Sequence, residues 1–111
     1  MDSKALFVEA VRAMVALPAS LREHAGEVWS VKESRFDKSY IEFLDEQIRL
    51  SPRGPEWTEI LKHRRAALLP FCGLTLLSGF VRVDDTLFSV DVDPKTRAVI
   101  HWEQHEYDDV A

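Results

Sequence analysis

Three residues near the end of the chain have side chains that could do chemistry together. His101, Glu103 and His105 alternate at the spacing of a β-strand, which returns every second side chain to the same face. Two imidazoles and a carboxylate are a familiar zinc ligand set, so one reading of the chain is a small metal- or ligand-binding regulatory domain. Alternate positions on a single strand stand about 6 to 7 Å apart, though, and catalytic zinc sites of this composition draw a ligand from elsewhere in the chain. The spacing fits polar residues facing solvent on an edge strand better, and no metal is expected.

Other catalytic patterns are missing. Cys72 lies in Leu-Leu-Pro-Phe-Cys-Gly-Leu, apolar surroundings that fit a small packing residue better than a reactive thiol, and as the sole cysteine it can form neither an intrachain disulfide nor a CxxC pair. There is no GxSxG or HExxH motif, and four glycines in the chain leave no room for a phosphate-cradling loop. The paired carboxylates Asp84-Asp85 and Asp108-Asp109 fall in a turn and a tail, away from the dry cleft that acid–base catalysis needs. Lys62-His63-Arg64-Arg65 fans around a helix near its C-terminus, where positive charge suits the macrodipole. These features predict a binding protein rather than an enzyme, and one without a cofactor.

The elements that must carry these residues read as α+β. In 111 residues, 46% hydrophobic and 30% charged, there is room for one core, and a single domain is expected: mainly helical over 1–70, antiparallel strands over 74–107. Phe7, Val11, Met14 and Val15 form the apolar stripe of a first helix, with Asp2 or Ser3 as N-cap and Pro18 as its end. Ser20 and Glu23 have capping-box spacing for a short second helix reaching about Val28. Trp29–Arg35 fits a connection or a short strand. Asp37 is placed to cap a helix over Lys38–Leu50, and Pro55 to start another that closes at Pro70 and Gly73.

After Gly73 the period becomes two. Leu74–Val83, with a possible bulge at Ser78-Gly79, Thr86–Asp93 and Arg97–His105 read as a three-stranded meander joined by turns at Asp84-Asp85 and Asp93-Pro94-Lys95-Thr96. On the last strand the alternation puts Ala98, Ile100 and Trp102 on one face, with Arg97, Val99, His101, Glu103 and His105 on the other. The helices are expected to pack on one face of this sheet.

The net charge of −5 is unevenly spread. Residues 1–83 hold 12 basic and 11 acidic side chains, a net of +1; residues 84–111 hold 2 basic and 8 acidic, a net of −6. Asp84, Asp85, Asp91, Asp93, Glu103, Glu106, Asp108 and Asp109 would together draw a basic protein partner, with Trp102 and Tyr107 as aromatic anchors. Direct nucleic-acid binding is not expected at a pI near 5.3. No apolar run approaches the roughly 18 residues of a membrane span, and Glu9 and Arg12 interrupt the N-terminal apolar stretch, so a cytoplasmic protein without a membrane partner is expected.

The segment from Phe88 to Tyr107, FSVDVDPKTRAVIHWEQHEY, resembles the closing hairpin of small bacterial immunity proteins, which neutralise polymorphic toxins including those of contact-dependent growth inhibition. An aliphatic strand, an Asp-Pro turn, a Val-x-x-Trp-like strand and an acidic end carry the resemblance, over about 30 residues. It implies a cytoplasmic inhibitor that occludes one cognate toxin, frequently a nuclease with a basic cleft. A secretion or assembly chaperone is a further reading, which would require an obligate dimer with a large apolar groove.

Overall fold

The computed structural model describes residues 2–106, Glu106 by its backbone alone. Its elements are α1 (Ser3–Ala13), α2 (Ala19–Glu23), β1 (Trp29–Arg35), α3 (Lys38–Leu50), α4 (Pro55–Leu68), β2 (Thr75–Val83), β3 (Thr86–Asp93) and β4 (Ala98–Glu106). The architecture is α+β, with a four-stranded antiparallel sheet in the order β1-β2-β3-β4. The expected meander is therefore joined by a fourth strand. Trp29–Arg35 hid its strand character because an edge strand with mostly exposed residues has little apolar alternation to show: only Val31 and Ser34 are half-buried.

The chain divides into two compact units, Met1–Ser34 with Leu76–Ala111, and Arg35–Thr75. The first holds the larger core. Asp2 caps α1, its carboxylate accepting the Lys4 N–H at 3.0 Å, and Phe7 and Val11 are fully buried with Leu6 and Ala10 beside them. The helix ends at Ala13, a full turn before Pro18. Leu17 reaches the core from a turn, its N–H donating to the Met14 carbonyl, and this leaves Val15, expected in the apolar stripe, 78% exposed.

The Ser20–Glu23 capping box does not form. Pro18, with φ −53° and ψ 138°, occupies the cap position and Ser20 already lies inside the helix, whereas the box requires the serine outside it. Leu21 and Ala25 complete this side of the core, with Ala25 in a single 3₁₀ turn over Ala25–Glu27.

Leu77 and Val81 of β2, Phe88, Val90 and Val92 of β3 and Val99 of β4 form the sheet's contribution to that core. The β2–β3 ladder is unbroken from Leu77↔Val92 to Val83↔Thr86, so the expected bulge at Ser78-Gly79 is absent. Gly79 is needed for another reason: a Cβ there would stand 2.8 Å from Val28 Cγ2 and 2.9 Å from Phe7 Cζ. The irregularity lies in the β3–β4 pair. Asp91 opposes His101 and Val92 opposes Val99, leaving Ile100 as an extra residue.

That one-residue insertion changes which face β4 presents. Val99 turns into the core with Trp102, correcting the expectation that it shares a face with His101. Arg97 belongs to the turn, at φ 58°, and the strand begins at Ala98.

The second unit is built around a helix pair. Asp37 caps α3 as the sequence indicates, accepting from the Ser39 and Tyr40 N–H groups. Pro55 takes the first position of α4, where its missing N–H costs nothing. Ile41 and Leu44 of α3 pack with Leu61 of α4, and Tyr40, Ile48 and Trp57 close around them. Arg65 crosses between the helices to Asp45, Nε to Oδ1 at 2.5 Å.

Candidate functional site

The ten residues expected at the partner surface separate into three groups. Asp84 and Asp85 form the exposed β2–β3 turn, with Asp84 at φ 54°, a conformation aspartate tolerates better than most residues. Arg82 Nε donates to the Asp84 carbonyl at 3.1 Å, holding the turn's shape. The β3–β4 register pairs Thr86 with Glu106, so the backbone of Glu106 reaches the same end of the sheet as that turn. Tyr107, Asp108 and Asp109 lie outside the described residues.

Asp91 and Asp93 sit toward the other end and serve the fold. Asp91 is half-buried and accepts from Ser78 Oγ at 2.5 Å, across the β2–β3 pair. Asp93 is buried, where it organises the β3–β4 turn: Oδ1 accepts the Lys95 N–H and Oδ2 the Thr96 hydroxyl, both at 3.0 Å, while its carbonyl takes the Arg97 N–H at 2.8 Å. This is the Asx-turn geometry that aspartate before proline favours. Neither carboxylate stands on an open surface.

Glu103 is also internal. Its Oε2 lies 2.7 Å from His101 Nε2 and its Oε1 3.3 Å from His105 Nε2. The three side chains are 8%, 12% and 15% exposed respectively. The alternation expected on β4 does bring them together, but away from solvent and turned on one another. Each imidazole spends a nitrogen on the carboxylate, and both carboxylate oxygens are engaged. Among the described residues no group of three or more His, Cys, Asp or Glu side chains is placed to hold a metal ion.

Trp102, expected as an exposed anchor, is half-buried on the opposite face, its ring 6.1 Å from that of Phe88 and packed on the core.

Two features escaped the sequence. One is the polar row that crosses the sheet: Ser78 is paired with Asp91, and Asp91 with His101. Counting outward from the two-residue turn at Asp84-Asp85 would have found its first pair. The bulge at Ile100 hides the second. The other is an aromatic run in the second unit, Phe36 to Tyr40 at 5.2 Å and Tyr40 to Phe43 at 6.2 Å between ring centroids. Together with Leu50 it continues at heptad spacing, and Phe43 and Leu50 are each 54% exposed.

The basic cluster is spoken for locally. Lys62 pairs with Glu59 and Arg65 with Asp45, and the Arg64 guanidinium lies 5.6 Å from the Trp57 ring, which Arg53 covers at 4.5 Å. Cys72 is exposed. No described helix is long and apolar enough to cross a membrane. In comparisons with protein-family models, curated proteins and solved structures, nothing matches the chain.

Proposed function

We propose that this is an immunity-type binding protein that neutralises a cognate bacterial toxin, a nuclease with a basic cleft, by electrostatic and steric occlusion in the cytoplasm. The observation that supports it most is the register of the meander, which gathers the exposed Asp84-Asp85 turn and the backbone of Glu106 at one end of the sheet. The −6 segment thereby has an outward end, while Asp91, Asp93 and Glu103 are used inside the fold. The hairpin resemblance supports the same reading.

In this account Asp84 and Asp85 stand in for nucleic-acid phosphates and meet lysines and arginines of the toxin cleft. Charges at an interface rim act chiefly on the encounter rate, which steering raises by about 10- to 1,000-fold. Reversing both, Asp84→Lys with Asp85→Lys, is expected to slow association with the toxin encoded beside this gene by about tenfold or more, with a smaller change in dissociation. Stopped-flow or biosensor kinetics measures both rates. An association rate indifferent to the double reversal rules out this end of the sheet as the docking surface.

A further inference from the structure

β2 alternates between the two faces of the sheet. Leu77 and Val81 enter the core, and Gly79 sits against Phe7 and Val28, so Ser78, Phe80 and Arg82 stand on the opposite face. The ladders carry that face across the sheet: Ser78 is opposite Asp91, Phe80 opposite Ser89, and Ser89 opposite Glu103. On it Ser78 is bonded to Asp91, Glu103 to both imidazoles, and Arg82 to the Asp84 carbonyl. Phe80 differs from these neighbours. Its ring is 43% exposed in the middle of an inner strand, beside a serine too short to cover it.

A single exposed hydrophobic residue is ordinary; what sets Phe80 apart is where its strand leads. Four residues on, about 13 Å along the strand, β2 has entered the exposed Asp84-Asp85 turn. A standard interface covers about 800 Å² on each partner, a patch roughly 30 Å across, so the ring and both carboxylates fall within one footprint. Such a footprint has an aromatic-rich centre and a charged rim. Polar groups that already satisfy one another lose little when a partner removes water from them, which suits the surroundings of Phe80 to that centre. Among the described residues of this unit the other exposed large hydrophobics are Val15, in the turn after α1, and Trp29, at the start of β1. Neither lies on the strand that feeds the acidic turn.

We infer that Phe80 is the aromatic anchor of the toxin-docking surface, seated in the toxin's cleft while Asp84 and Asp85 meet the basic residues at its rim. The inference rests on the proposed function and gives Phe80 the part expected of Trp102, which packs on the core. Anchor and rim then divide the work: the charges set the association rate, and the buried ring sets dissociation. The aromatic row on α3 is not matched to a basic partner in this way, because Glu42 and Glu46 beside it are paired with Lys38 and Arg49.

The test is biosensor kinetics of the full chain against the toxin encoded beside this gene. Phe80→Thr removes the ring and keeps a residue suited to a strand. Its complex is expected to dissociate about 30-fold faster or more, the loss that truncating an interface anchor brings, with the association rate little changed. Phe43→Thr, at a more exposed position of the second unit, is expected to leave dissociation as it is. A site-specific 4-fluorophenylalanine at position 80 gives a reading that needs no truncation and decides alone if Phe80→Thr fails to fold. Its fluorine resonance should shift on adding toxin and become protected from a soluble paramagnetic agent. Dissociation of Phe80→Thr within about twofold of the native rate, an equal loss with Phe43→Thr, or a fluorine signal indifferent to toxin would overturn the inference. The proposed function survives any of these if Asp84→Lys with Asp85→Lys still slows association, whereas a native chain that does not bind the toxin overturns both.

Discussion

Glu103 illustrates how a single residue changes meaning between sequence and structure. As a type at that spacing it could be a metal ligand or a surface charge; in the structure its side chain is internal, and its two oxygens face His101 and His105. The residues that make the trio were legible from strand alternation. Their burial was not, since alternation assigns a face without saying what covers it. Removing the carboxylate strands two imidazoles in a nearly dry place, so Glu103→Ala should cost about 3 kcal/mol of unfolding free energy. Glu103→Gln, which keeps one acceptor, should cost visibly less. Urea denaturation of both variants measures the difference, and equal midpoints would contradict the assigned hydrogen bonds.

Asp37 offers a second test at this scale. Its carboxyl is held below the usual value near 3.8, first by the hydrogen bond from the Ser39 hydroxyl, then by the Tyr40 N–H. A depressed folded-state pKa means the stabilisation is complete above the unfolded value and fades as pH falls through the folded one. The stability gap between the native chain and Asp37→Ala should therefore be constant near neutrality and close below about pH 3.8. A gap that widens in acid would show that the cap does not act through its ionised form.

The helices of the second unit were read almost to the residue because their stop signals are chemical: an aspartate cap, a proline at the first position, and a Ser-Pro-Arg-Gly breaker between them. The first helix was overextended because the apolar residues after Ala13 continue the stripe, and nothing local reveals that Leu17 is delivered by a turn instead. β1 was left open because exposure on both faces erases the pattern, and the β4 bulge because a ladder's register is a property of two strands. Packing now makes these elements testable. Gly79→Ala drives a methyl into Val28 and Phe7 and should cost about 1–3 kcal/mol. Shrinking the obstacle, with Phe7→Leu in the same chain, should make the two changes less than additive. On α3, Leu44→Ala should cost about 2–5 kcal/mol, while Phe43→Ala, one residue earlier but more than half exposed, should stay within about 0.5 kcal/mol.

At the scale of the molecule, a near-neutral first three-quarters carries an acidic last quarter, and the fold sorts that acidity into internal and outward parts. Three of the eight carboxylates are bound within the first unit, while the two at the β2–β3 turn stand at its surface. The charge asymmetry was fully legible in the sequence. The sorting was not, because it depends on the hairpin register and on turn capping that only the folded chain displays. Steering by the outward charges acts over about 8 Å at physiological salt and less in stronger electrolyte. The most direct test of the proposed function is therefore the association rate of this protein with the toxin encoded beside its gene, measured across ionic strength. A rate that falls by an order of magnitude or more between about 50 and 500 mM salt, and falls much less for the Asp84→Lys/Asp85→Lys variant, is the predicted result. A rate that is the same at every salt concentration would contradict it.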